Sequence, residues 1–182
     1  MRIQRTDVLS ISDLGPSGAV GAAEALLPAQ VQVLDYLARG VALGAMDAYT
    51  GRTFGQDKKL LSTAYESLGV MAERRNPMIA AVMVARAAGA IQFSTQPLAR
   101  NPKAEIRSRE MHVAYYMAHG WPVDVIARRL NCVIGTVSND INAASGAVGV
   151  KKSLHLVISL FQSGIFELAG EVPTVHRYDS ES

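Results

Sequence analysis

Apolar residues recur at helical spacing through most of this chain, and no stretch alternates apolar and polar positions as a half-buried strand does. Before residue 96 the pattern predicts three helical runs, at Ala19–Ala48, Leu60–Met71 and Met78–Phe93. Pro28 marks a helix start or a kink within the first run, and Pro77 is well placed to open the third. The pattern therefore predicts an all-α fold.

Two segments rich in turn-forming residues divide the chain. The first, YTGRTFGQDKK at 49–59, is punctuated by glycines and is predicted to be a connection between helices. The second, STQPLARNPKAE at 94–105, contains two prolines and predicts a linker at 96–103. We therefore predict a flexible arm over 1–16, a helical domain over 17–95, a second domain over 104–165 and an acidic tail over 166–182.

Four short helices are predicted after the linker, each bounded by residues that favour helix ends. These boundary residues are Ser108, Gly120, Pro122, Gly149, Ser153 and Gly164. Only three residues, Asn131–Val133, join the second helix to the third, and Ala127 is a small residue where the two would cross. This is the spacing of a helix-turn-helix, the motif that places its second helix in the major groove of DNA.

Residues 106–157 also resemble, without a gap, the DNA-binding domain shared by LuxR, FixJ and NarL-type regulators. The segment IRSREMHV resembles the Leu-Thr-x-Arg-Glu-x-x-Val opening of that family, and HGWPVDVIARRL resembles its glycine followed by an Ile-Ala-x-x-Leu helix. GTVSND falls on its Thr-Val-Lys-Asn-His, and AVGVKKSLHLV on its Lys-Leu-Gly-Val-x-x-Arg ending. The resemblance implies a four-helix LuxR-type helix-turn-helix domain. The preceding region resembles neither a phosphoacceptor receiver nor an acyl-homoserine-lactone-binding domain.

The resemblance also implies which residues meet DNA, either at base edges or at backbone phosphates. The predicted DNA-binding residues are Thr136, Ser138, Asn139, Asn142, Arg128, Arg129, Lys151 and Lys152. Simpler interpretations stay open: a solvated helix face for the first four, an ordinary polar surface for the arginines, and a favourable charge at a helix end for the lysines. Arg109 and Glu110 are expected to be structural and to tie helices together.

Three departures from the family pattern bear on DNA affinity. Ser138 replaces a lysine, which removes a positive charge from the DNA-facing helix. Asp140 replaces a histidine, and we expect its carboxylate to lie on the outward face, where it repels phosphates or accepts a hydrogen bond from cytosine N4. Val133 replaces a capping serine or threonine, at a cost of about 1 kcal/mol. Asparagine still suits adenine, so we expect an intact fold whose affinity for DNA is weak without a second subunit or partner.

Composition and charge limit the other classes of function. The chain has 182 residues, of which 49% are hydrophobic, enough for a buried core without disulfides or metal. Its net charge is only +2, but residues 103–153 carry +3 and residues 154–182 carry −3. A single cysteine, Cys132, and the lack of an apolar leader favour the cytoplasm. The run Met78–Phe93 is interrupted by Arg86 and is too short for a membrane span.

No catalytic or metal-binding pattern stands out, because the histidines at 112, 119, 155 and 176 have no acid and nucleophile at a recognisable spacing. We therefore predict neither an enzyme nor a cofactor or metal. The expected function is sequence-specific transcriptional regulation in a bacterium or phage, with double-stranded DNA as partner. The protein is expected to work as a homodimer, for which the small residues of the helix at 78–93 offer a contact, or with another regulator. The alternative is a regulator that docks on another regulator or on RNA polymerase without reading DNA.

Overall fold

A computed structural model of the protein describes residues 9–11, 24–70, 76–101 and 105–168. Within these ranges it contains eight α-helices, one 3-10 turn at Leu43–Ala45 and one short strand pair. The helices are α1 Pro28–Ala38, α2 Asp47–Thr50, α3 Phe54–Ser67, α4 Pro77–Ala87, α5 Ser108–Ala118, α6 Val123–Arg129, α7 Ile134–Val148 and α8 Ser153–Gln162. The all-α fold class is confirmed.

Most predicted helix starts agree with the structure, but the predicted connection at 49–59 was wrong. As expected, α1 begins at Pro28 and α4 at Pro77. The segment 49–59 instead contains the end of α2 and the start of α3. The Gln56 backbone N–H donates to Thr53 Oγ1 at 3.4 Å, and the Thr53 backbone N–H donates to Gln56 Oε1 at 2.8 Å. This reciprocal capping box starts α3 despite the two glycines nearby.

Helix α4 forms the centre of the core. Every residue from Ile79 to Ala85 is buried, because α1, α3 and α5 pack around this helix. The helix ends at Ala87, before the predicted end at Phe93. The residues from Ile79 to Ala85 are covered within one chain and offer no face to a second subunit, whereas Ala87 at the end of the helix is exposed. The structure thus favours the core interpretation of this helix over the expected dimer contact.

The two halves of the chain share one continuous core. Gln162 on α8 accepts a hydrogen bond from the Leu98 backbone N–H at 3.0 Å and donates one to the Gln96 carbonyl at 2.9 Å. Gly120 lies so close to α4 that a Cβ on it would be 2.7 Å from the Ala80 Cβ. The described part of the predicted linker therefore lies against α8, and the division into two domains stays a prediction.

A short parallel strand pair joins the beginning of the described chain to its end. Strand β1, Leu9–Ile11, pairs with β2, Phe166–Leu168, with Leu9 opposite Phe166. Phe166 is 2% exposed, and its ring centre lies 5.6 Å from that of Phe161. Three residues are too few for alternation to be recognised, so the sequence did not predict this pair. The pair involves the predicted arm and the first residues of the predicted acidic tail.

Candidate nucleic-acid interface

Helices α6 and α7 are joined by the short turn that the sequence predicted. Asn131 in this turn has a φ of 50°, in the left-handed region that asparagine tolerates better than most residues. Cys132 follows it and is half-buried. At its other end α7 stops at Gly149, whose φ of 81° makes the predicted left-handed cap. Helix α7 packs against α5, α6 and α8, so its position is fixed by all three neighbours.

One face of α7 turns small, uncharged side chains to solvent. Four exposed positions on this face, which we call the outer stripe, are Gly135, Asn139, Asn142 and Gly146. Their spacing of four, three and four residues places them on one side of a helix. Thr136 and Ser138 are half-buried. The outer stripe therefore offers two side-chain amides and no charge.

Asp140 does not face outward with the outer stripe. Its side chain is 3% exposed, and Arg109 donates to it twice, from Nε to Oδ2 and from Nη2 to Oδ1, each at 2.8 Å. These hydrogen bonds, followed by the charge of Asp140, raise the pKa of Arg109. The expectation that Asp140 lies on the outward face of α7 was wrong, because a residue three positions after the buried Val137 lies on the inner side of the helix.

Glu110 and Arg109 stabilise the domain in different ways. The buried Glu110 carboxylate accepts hydrogen bonds from the Arg107 backbone N–H at 3.0 Å and from Arg107 Nε at 2.7 Å. Glu110 therefore closes the start of its own helix, α5. Arg109, one residue earlier, connects α5 to α7. Both are structural, as expected, but only Arg109 ties two helices together.

The two arginines at the end of α6 are both engaged within the chain. Arg128 Nη2 lies 3.0 Å from Asp124 Oδ2 in an exposed ion pair. The Arg129 guanidinium lies 3.7 Å from the centre of the Trp121 ring, which is stacked on Tyr116. Because an exposed ion pair contributes at most about 1 kcal/mol, Arg128 remains available to a phosphate. The cation–π contact holds Arg129 against the aromatic pair.

Lys151 and Lys152 lie beyond the far end of α7. Both are exposed in the turn that leads from α7 to α8. Helix α7 has 15 residues, and at about 1.5 Å per residue it separates the lysines from Val133 by roughly 20 Å. The structure therefore groups the four residues predicted on α7 and places the two lysines at the opposite end of that helix.

The sequence did not predict the exposed apolar pair at the start of α7. Val133 is 71% exposed and Ile134 is 54% exposed. As predicted, no side chain caps this helix end, because valine cannot accept a hydrogen bond from the first turn. The sequence did carry one signal of this exposure, because both residues precede Val137, the first buried residue of α7. The pair extends the uncharged surface of the outer stripe.

Comparison with protein-family models, with curated proteins and with solved structures found no significant match. The resemblance to LuxR-type domains therefore stays a prediction that rests on the motifs within residues 106–157. Among the described residues, no helix combines the length and the apolar character needed to cross a bilayer.

Proposed function

We propose that this chain is a sequence-specific DNA-binding transcriptional regulator that inserts the first half of α7 into the major groove. The outer stripe is the observation that carries the proposal. It presents asparagines on the exposed face of the second helix of a helix-turn-helix arrangement, where base contacts are made. The in-register motifs within residues 106–157 support the same assignment.

The position of Asp140 supports this proposal. Asp140 is the one acidic residue in the sequence of α7, and its burial against Arg109 takes it away from the exposed face. An exposed carboxylate at this point would oppose the phosphates on either side of the groove. With it buried, the surface offered to DNA is neutral rather than repulsive.

Base recognition on this surface depends on amides and apolar contacts. Asn139 and Asn142 are suited to bidentate pairing with adenine, and the exposed Ile134 side chain suits the thymine methyl group. The preferred operator is therefore rich in A·T pairs. A neutral surface adds little sequence-independent attraction, so binding needs phosphate contacts from residues such as Arg128. In a homodimer, two copies of α7 would address half-sites about 34–36 Å apart.

Selection of duplexes from a random pool with the full chain, followed by fluorescence anisotropy, tests the proposal. We expect the selected site to be rich in A·T pairs. The affinity of the protein for this site should fall as the salt concentration rises, and binding should persist in the presence of competitor DNA. Asn139→Ala and Asn142→Ala should each weaken binding to the selected site about tenfold and leave non-specific binding unchanged. Asn101→Ala is the matched control, since Asn101 is exposed and its side chain has no hydrogen bond within the described residues. Failure to enrich a site, or equal affinities for all three variants, would overturn the proposal.

A second function, docking on another regulator or on RNA polymerase, is favoured by the exposure of Val133 and Ile134. An exposed apolar pair beside a neutral helix face suits a protein partner. Val133→Ser separates the two functions, because serine restores a helix cap while it removes the apolar contact. A DNA reader should keep both its operator affinity and its effect on a reporter gene in this variant. If the protein binds no operator and Val133→Ser abolishes its effect on the reporter gene, docking would be favoured.

A further inference from the structure

A basic cavity lies between the end of α1, the segment before residue 102 and the turn from α7 to α8. It is open to solvent, and its volume of about 630 Å³ is within the range of about 300–1,000 Å³ that small-molecule sites occupy. The charged side chains that line it are Arg39, Arg100, Lys151 and Lys152, and His155 adds a polar ring. No acidic residue is part of the described lining. The cavity was not predicted from the sequence, because its walls come from segments far apart in the chain.

Close contacts fix the walls of this cavity. A Cβ on Gly40 would lie 2.8 Å from Leu98 Cδ2 and 3.7 Å from His155 Cε1. A Cβ on Gly149 would lie 2.8 Å from the Arg100 Cβ. Each of these glycines therefore lets two walls approach within a distance that a larger residue would prevent. The glycines thus set how closely the walls approach, whereas the four cationic side chains are exposed and would be ordered by a ligand.

Within the described residues, only one of the cationic side chains around the cavity has an acidic partner. Arg39 Nη2 lies 2.8 Å from Asp35 Oδ2 on α1. Arg100, Lys151 and Lys152 have no ion-pair partner in the described part of the chain. Cationic groups that converge on a concave surface repel one another, and the cleft focuses their field. An anion with two or more negative charges relieves this repulsion.

We propose that the cavity binds a small phosphate-bearing molecule, with an organic part of about nucleotide size. Guanidinium groups such as that of Arg100 form paired hydrogen bonds with phosphate oxygens, and the lysine ammonium groups add point charges. Leu98 and Val150 supply apolar lining for the organic part. Because Arg39 comes from the N-terminal half and Lys152 follows α7, an occupied cavity links these two parts of the chain. This site does not depend on whether α7 binds DNA.

Isothermal titration calorimetry on the full chain tests the site, with inorganic pyrophosphate and ADP as separate probes at constant ionic strength. We expect one binding event per chain and tighter binding of ADP than of pyrophosphate. Arg100→Gln and Lys152→Gln should each weaken binding about tenfold, as expected for the loss of a charged hydrogen bond. Lys58→Gln is the matched control, because Lys58 is exposed on α3 and does not line the cavity. Circular dichroism checks that each variant is folded. Lys151→Gln is a further binding variant, at the exposed position next to Lys152.

Three outcomes would overturn the proposal. The first is the absence of saturable binding of either probe at millimolar concentration. The second is equal affinity of the Lys152→Gln and Lys58→Gln variants, which would show that binding occurs elsewhere. The third is that both probes fail while Arg100→Gln and Lys152→Gln weaken binding to a DNA duplex about tenfold. In that case the cavity contacts a backbone phosphate rather than a small molecule.

Discussion

Arg109 and Asp140 connect α5 to α7 through two hydrogen bonds of 2.8 Å each, with the carboxylate buried and the guanidinium largely exposed. The Asp140 side chain is 3% exposed and that of Arg109 is 60% exposed. A buried carboxylate has lost its hydration, so removal of its partner would leave an uncompensated buried charge. The pair therefore helps to set how α7, and with it the outer stripe, is held on the rest of the domain.

Replacement of Arg109 should destabilise the protein more than replacement of both partners. Arg109→Met leaves the Asp140 carboxylate buried without a partner, and we expect Tm to fall by about 5 °C or more. In the double variant Arg109→Met/Asp140→Leu no charge is buried, so most of the loss should be recovered. Thermal unfolding followed by circular dichroism measures both effects. Arg128→Met is the control, because its ion pair with Asp124 is exposed. An unchanged Tm for Arg109→Met would contradict this role of the pair.

Residue spacing predicts the inner side of α7, but it does not predict that Asp140 belongs to that side. Val137, Asp140, Ala144 and Val148 recur at spacings of three and four residues, and all are buried. Asp140 alone in this set is charged, and a lone carboxylate is unfavourable in a core. Its partner lies 31 residues earlier in the chain. Helical periodicity carries no information about such a distant pair.

The same distinction between local and distant signals applies to the rest of the fold. Helix ends were predictable because Pro77 and Gly149 act on the backbone around them. The pairing of Leu9 with Phe166, and the cavity that Arg39 shares with the turn after α7, join residues more than a hundred positions apart. Their proximity depends on how the helices pack, which no short pattern in this sequence specifies.

Val133→Ser should stabilise the protein by about 1 kcal/mol. Val133 precedes the first turn of α7 in an extended conformation and makes no side-chain cap. A serine hydroxyl in that position accepts a hydrogen bond from a backbone N–H of the first turn. Urea unfolding measures the gain, and Val133→Ala, which adds no cap, serves as the control. If serine and alanine gave the same midpoint, the start of α7 would not be limited by its missing cap.

Two glycines near the end of α7 should respond to alanine in opposite ways. A Cβ on Gly146 meets nothing within 4 Å, so Gly146→Ala should stabilise the helix by about 0.8–1 kcal/mol. Gly149 has a φ of 81°, and a Cβ there would collide with Arg100. We therefore expect Gly149→Ala to destabilise the protein, both through backbone strain and through displacement of the Arg100 segment. The two unfolding midpoints, measured against the wild type in urea, should lie on opposite sides of it. Equal shifts in one direction would contradict the geometry of this turn.

His155 should make the protein less stable as the pH falls below about 6.5, the ordinary histidine pKa that applies in the unfolded chain. In the folded state, burial and then the charge of Lys152 lower the pKa of His155. The unfolded chain therefore binds more protons between the folded pKa and 6.5. The stability that a neutral His155 contributes is fully present above that window and is lost as the pH falls through it. Urea midpoints between pH 7.5 and 5 should fall less steeply for His155→Gln than for the wild type. His112→Gln, at an exposed position on α5, controls for the loss of a histidine. Parallel curves for the wild type and His155→Gln would contradict the lowered pKa.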